Sequence, residues 1–155
     1  MSMTGNIYIA GIGIISAIGN NADECMASLS EMKPGMGPAA LLQTAHRAEI
    51  PLAEVKLANE ALAARAGLPA HTSRTALLSM IAARQALDDA AIPGFSTLRS
   101  GFISANTVGG MDKTEGFFKD FLQDETSGDL RQVAGHECGS VTELVADALG
   151  INHQV

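Results

Sequence analysis

Tryptophan is absent from this chain, and one tyrosine and five phenylalanines are its only aromatic residues. The core must therefore be built from alanine, leucine, isoleucine, valine and methionine. Cysteine is nearly absent too: Cys25 and Cys138 have no metal-ligand spacing and give no disulfide framework. There is no basic run. The ten lysines and arginines are scattered and the formal net charge is −7, which argues against a nucleic-acid partner, because phosphate backbones are held by clustered cations. No apolar stretch approaches the length of a membrane span. A basic region followed by an apolar signal core is also missing, since Ile7 to Ile15 already reads as a strand. Cytoplasm is the expected compartment. What is present is an apolar fraction of 46%, enough for a sizeable core and against wholesale disorder, on a length of 155 residues that suits one domain or a piece of one.

Two segments share a design. IYIAGIGIISAIGNN runs from Ile7 to Asn21, and GFISANTVGGM from Gly101 to Met111. Each is a short apolar run that breaks into glycines before a helical pattern. Ile7–Ile15 does not alternate polar with apolar, so it reads as a strand buried on both faces, and Phe102–Ala105 as a second. After the first, Asn21 and Glu24 resemble a capping box, and Ala22, Cys25, Met26 and Leu29 form a core stripe on the helix that follows, ended by Pro34, Gly35, Gly37 and Pro38. Ile50–Lys56 reads as a short edge strand or an extended loop. Asn59 is placed to cap a helix through Arg65, stopped by Gly67 and Pro69. Thr72 or Ser73 caps a longer helix with Ala76, Met80, Ala83 and Leu87 on one face, flanked by Leu77 and Ile81 and closed by Pro93-Gly94. Its alanines favour close packing against a sheet or another helix. Gly109-Gly110 turns the chain into a helix from Met111 to Leu122 with Phe117, Phe118, Phe121 and Leu122 as its apolar side. Asp124–Gly135 reads as a polar loop, and Ser140 with Glu143 as a capping box for a last helix carrying Leu144, Ala146 and Leu149 up to Gly150. Strands alternating with helices favour an α/β layered fold.

Several patterns invite sharper chemistry. Gly11-x-Gly13 after a strand suggests a dinucleotide site, but the third glycine is missing and Glu31 sits before a turn, not after a strand; glycines for strand packing are the better reading. His136-Glu137-Cys138 suggests a nucleophile with its base. Residues two apart point away from each other in a strand and do not face each other on a helix, and no orienting carboxylate or second histidine is identifiable, so Cys138 reads as a loop cysteine. Cys25 reads as core. His46, His71 and His153 are scattered, and no metal site or cofactor is expected. Asp88-Asp89 reads as a solvated helix end, and Phe117, Phe118 and Phe121 as core or interface.

Taken in order, the matches resemble the opening of a β-ketoacyl-acyl carrier protein synthase, a condensing enzyme of the thiolase-like superfamily. Ile9-Ala10-Gly11-Ile12-Gly13-Ile14-Ile15-Ser16 is similar to that family's first strand and Ala17-Ile18-Gly19-Asn20 to the turn after it. Lys33-Pro34-Gly35-Met36-Gly37 is similar to the segment after the first helix. Ser73-Arg74-Thr75-Ala76 with Ala82-Ala83-Arg84-Gln85-Ala86-Leu87 resembles its long helix. Gly101-Phe102-Ile103-Ser104 with Gly109-Gly110-Met111 resembles its second strand and glycine turn, and Gly139-Ser140-Val141-Thr142 with Ala148-Leu149-Gly150-Ile151 the helix before the catalytic strand.

The resemblance implies an α/β, thiolase-like N-terminal half in one partial domain, 1–155, whose central strand and nucleophile elbow lie beyond Val155. It implies a decarboxylative Claisen condensation of an acyl thioester with malonyl-acyl carrier protein by the complete enzyme, in fatty-acid or polyketide-type synthesis. It implies too that this chain alone is inactive, because the nucleophilic cysteine and both catalytic histidines are not on it. Thr107, Val108, Gly109, Gly110 and Met111 are implied to line the acyl pocket near a dimer interface; a plain strand-to-helix turn with Val108 and Met111 in the core is the alternative. The implied partners are an acyl carrier protein, an acyl thioester, and a second copy or the missing C-terminal half. A non-catalytic α/β binding module and one half of a split enzyme are the other expectations.

Overall fold

The computed structural model of the protein describes residues 6–95 and 98–151; His153 and Val155 lie outside them. The described elements run α1 (Ala22–Ser30), β1 (Met36–Gly37), β2 (Leu52–Ala53), α2 (Asn59–Ala66), α3 (Arg74–Asp89), α4 (Met111–Phe121), α5 (Arg131–Ala134) and α6 (Cys138–Leu149). The architecture is mostly helical with a minimal sheet, in place of the layered α/β arrangement expected. The sheet is β1 paired antiparallel with β2, Met36 opposite Ala53 and Gly37 opposite Leu52.

The core sits where α2, α3 and α6 meet. α3 starts because the Ser73 hydroxyl accepts the Ala76 N–H, and its i, i+3, i+4 spacing buries Ala76, Leu77, Met80 and Ile81, as the periodicity requires. α2 meets it with Leu62, Ala63 and Ala66, and α6 adds Val141 and Val145. α2 ends at Gly67, φ 60°, and α6 at Gly150, φ 73°, with Ile151 N–H returning to Ala146 C=O and its side chain buried beside it. Asn59 is the first helical residue of α2, not its cap. Its Oδ1 accepts from Arg74 Nη1 at 2.8 Å, while the same guanidinium reaches Leu57 C=O and Val55 C=O, so Arg74 fastens the segment before α2 to the start of α3. The Arg74 N–H in turn donates to Asp112 Oδ2 of α4 at 3.1 Å.

The two expected buried strands are extended but carry no ladder, and their outer residues are bare: Ile7 is 99% and Ile103 98% exposed. The physical reason is the lack of neighbours, since no described segment lies alongside to accept and donate their peptide hydrogen bonds. Ile7–Ile15 is instead laid on α3. Ile12 N–H donates to Asp89 Oδ2 at 2.9 Å and Ile14 N–H to Gln85 Oε1 at 3.1 Å, so Asp89 is engaged by the chain and not merely solvated. Gly11 and Gly13 face Ala82, Ala86 and Ala90. A Cβ on Gly13 would stand 2.8 Å from Ala86 N and one on Gly11 2.7 Å from Ala90 N, so the glycines permit backbone contact with an alanine-faced helix.

Four further expectations are corrected. The α1 stripe is only partly covered: Cys25 is buried, with Sγ 3.3 Å from Ser16 Oγ, whereas Met26 and Leu29 are exposed because no described element packs on that side. α1 also stops before the proline-glycine segment, through a left-handed Met32 (φ 53°) and a Lys33 N–H to Ser28 C=O bond. Ser140-Glu143 is not a capping box, because α6 already begins at Cys138 with Glu137 in the cap position. Within the expected polar loop, Arg131–Ala134 forms the short helix α5.

Candidate functional site

The site grows from the glycine turn that ends the second extended segment. Asn106 closes the turn: its Oδ1 accepts the Gly109 N–H at 2.9 Å, and its Nδ2 donates to the Cys138 carbonyl at 3.2 Å. Met111 N–H returns to Val108 C=O at 3.0 Å, starting α4 without a side-chain cap. Gly109 is left-handed at φ 52°, and both Gly109 and Gly110 are buried against the segment before α6. A Cβ on Gly109 would come within 2.9 Å of Glu137 C, and one on Gly110 within 2.8 Å of Gly135 C. Gly110 N–H donates to His136 C=O at 3.2 Å, and Thr114 Oγ1 lies 3.0 Å from His136 Nδ1. Two loops some thirty residues apart are thus fused into one body.

Beside the joint lies a groove of about 510 Å³ whose walls include Ser104, Asn106 and Thr107 on one side and Cys138, Gly139 and Thr142 on the other. Cys138 is exposed, as the first residue of α6 and not a loop cysteine. Its neighbour in sequence, His136, is turned to Thr114, which leaves no assembled nucleophile-base pair.

The five residues singled out in the sequence divide among different surfaces. Thr107 faces this groove. Gly110 lies at the edge of a separate polar cleft of about 760 Å³ that also receives His71, Lys113, Arg131, Glu143 and Asp147. Met111 opens onto a third groove along α4 with Phe118 and Leu122. Val108 is 47% and Met111 42% exposed, so the alternative that both belong to the core is overturned. Sequence reasoning missed Asn106. An asparagine three residues before a glycine that needs positive φ is a local signal for a side-chain-closed turn. The opposite wall, Cys138, Gly139 and Thr142, had no such signal, because only tertiary contact brings it there.

Electrostatic perturbations lie elsewhere, on exposed carboxylates. Hydrogen bonds from the Asn20 N–H, then the Asn20 amide, hold the Glu24 carboxyl below its ordinary value, and the Asp129 carboxyl is held low by its hydrogen bond and ion pair with Arg131. No group of three histidine, cysteine, aspartate or glutamate side chains with metal-binding geometry occurs among the described residues. Among them, too, no helix is long and apolar enough to cross a membrane.

No protein-family model and no curated protein matches the chain. Among solved structures, the chain is similar in fold to the ishigamide ketosynthase/chain length factor, with a TM-score of 0.75 at 21% sequence identity over 94% of this chain. It spans 37% of the length of that solved chain. The fold is therefore part of a ketosynthase-like fold, reached without close sequence identity.

Proposed function

We propose that this chain, which folds as part of a ketosynthase, is the N-terminal region of a condensing enzyme of the β-ketoacyl-acyl carrier protein synthase type, 1–155 forming one partial domain. The observation that carries the reading is the agreement of the sequence resemblance with the fold similarity. The collinear sequence resemblance runs from Ile9 to Ile151, and the fold similarity covers 94% of the same chain. The complete enzyme would condense an acyl thioester with malonyl-acyl carrier protein, with loss of carbon dioxide. In it, the turn Thr107–Met111 would form part of the acyl-chain wall, with Val108 an exposed apolar member next to the groove-lining Thr107. Glycines there allow close approach and valine offers an apolar surface.

Residues 1–155 by themselves are inactive on this reading. The described thiols are Cys25, buried against Ser16, and Cys138, whose nearby histidine is bonded to Thr114. The family reaction needs an activated thiol with two histidines converging on it. A second reading has one supporting observation: the similar structure's name joins a ketosynthase to a chain length factor. A module that keeps the scaffold without the chemistry, or half of a split enzyme, fits the same fold.

The test has two parts. The purified chain is incubated with malonyl and octanoyl thioesters and assayed for 3-ketoacyl product; none is expected, and product would overturn the inactivity. The in-frame gene product is then assayed with Val108→Phe. A shift towards shorter acyl products supports the wall assignment, and unchanged chain-length preference removes it.

A further inference from the structure

We infer that Asn106 is the positioning residue of the Thr107–Met111 turn, and that it sets the width of the groove between Thr107 and Thr142. The inference rests on reading that turn as acyl-pocket wall and adds the group that holds the wall in place. One carboxamide serves both sides of the joint. Its oxygen takes the Gly109 N–H at 2.9 Å and its nitrogen gives to the Cys138 carbonyl at 3.2 Å. Because one partner is a donor and the other an acceptor, the orientation of the amide is fixed by chemistry. Gly110 N–H to His136 C=O and the contact of Thr114 Oγ1 with His136 Nδ1 complete the joint. Thr107 leaves the turn directly after Asn106 and Thr142 stands one helical turn beyond Cys138, and both line the groove. Moving one wall relative to the other requires breaking bonds that Asn106 makes. A ligand that enters the groove therefore meets a preformed gap, with its ordering cost already met by the fold.

Substitution separates the two halves of the amide's role. Asn106→Ala removes both bonds. Asn106→Asp keeps the acceptor for Gly109 but sets a carboxylate oxygen against the Cys138 carbonyl. Amide exchange of Gly109 is measured in the chain and in both variants, with Leu77 in α3 as the reporter of global opening. Val108 methyl shifts are followed in parallel with octanoyl-N-acetylcysteamine as an acyl-thioester probe. Asn106→Ala is expected to speed Gly109 exchange about tenfold, the worth of one net hydrogen bond, while Leu77 is unchanged, and to weaken probe binding. Asn106→Asp is expected to keep Gly109 protected while changing the rate at which iodoacetamide alkylates Cys138. Gly109 exchange in Asn106→Ala that matches the parent overturns the inference, as does equal probe affinity. Should Asn106→Ala unfold globally, Asn106→Asp decides: Gly109 protected supports the inference, and Gly109 unprotected overturns it. A probe that leaves Val108 unmoved in the parent overturns the pocket reading alone, since the exchange measurement does not depend on it.

Discussion

Gly13 shows how one residue fixes the course of a segment. It lies on the alanine face of α3, and a Cβ would meet helix backbone at Ala82 and Ala86, which cannot swing aside as a side chain can. Gly13→Ala is therefore expected to cost about 1–3 kcal/mol, the range for overpacking, or to lift Ile7–Ile15 off the helix. Either result appears as a lower urea midpoint or as lost amide protection at Ile12 and Ile14, whose N–H groups are held by Asp89 and Gln85. Gly94→Ala is the control, because among the described residues nothing lies within 4 Å of the position a Cβ would take. An unchanged midpoint together with unchanged protection in Gly13→Ala would refute the packing argument. The sequence showed that glycines 11 and 13 serve packing and not a nucleotide. It did not show against what, because the partner alanines lie some seventy residues further along.

At the scale of elements, the short hairpin is held by one carboxylate. Glu54, just after β2, accepts the N–H groups of Ala40, Leu41 and Leu42, tying the chain after β1 back to the end of β2. The Ala40 N–H is the main cause, with Leu41 and Leu42 adding to it, of a carboxyl held below its ordinary 4.5. A lowered carboxylate pKa contributes stability that is fully present above the unfolded value. That contribution is lost as the pH falls through the folded one. Acidification below 4.5 should therefore loosen residues 40–42, read as faster exchange of those three amides relative to Leu77 at each pH once intrinsic rates are corrected. Glu54→Gln should abolish the pH step, and a step that persists in that variant would assign it to another group. The helices themselves were legible, since α2, α3 and α4 follow from periodicity and punctuation. The start of α6 was not. Ser140 and Glu143 have the right spacing for a cap, but the docking of loop 135–138 on Gly109 and Gly110 carries the helix back to Cys138.

For the whole molecule, the decisive feature is apolar backbone and side chain left uncovered. Ile7, Ile9 and Ile103 are exposed on extended segments without ladder partners, and Met26 and Leu29 are exposed on α1. Unpaired extended segments with apolar side chains recruit further strands. The chain is accordingly expected to self-associate, or to pair with a complementary polypeptide carrying the rest of the fold. Sedimentation should show species larger than a monomer, and Ile9→Lys with Ile103→Lys should reduce them. A compact monomer of the parent that binds no hydrophobic dye would refute the expectation. The sequence by itself determined the helical framework, the alanine-rich packing surface of α3, the glycine turn at 109–110 and the resemblance to a condensing enzyme, because each of these is written in local spacing. It could not decide whether its two apolar runs become buried strands, since that depends on neighbours to complete their hydrogen bonds. Nor could it join Asn106 to Cys138 or turn His136 towards Thr114. Those are contacts across sequence distance, and only the packing of α2, α3 and α6 around a shared core, with the turn before α4 docked on the segment before α6, fixes them.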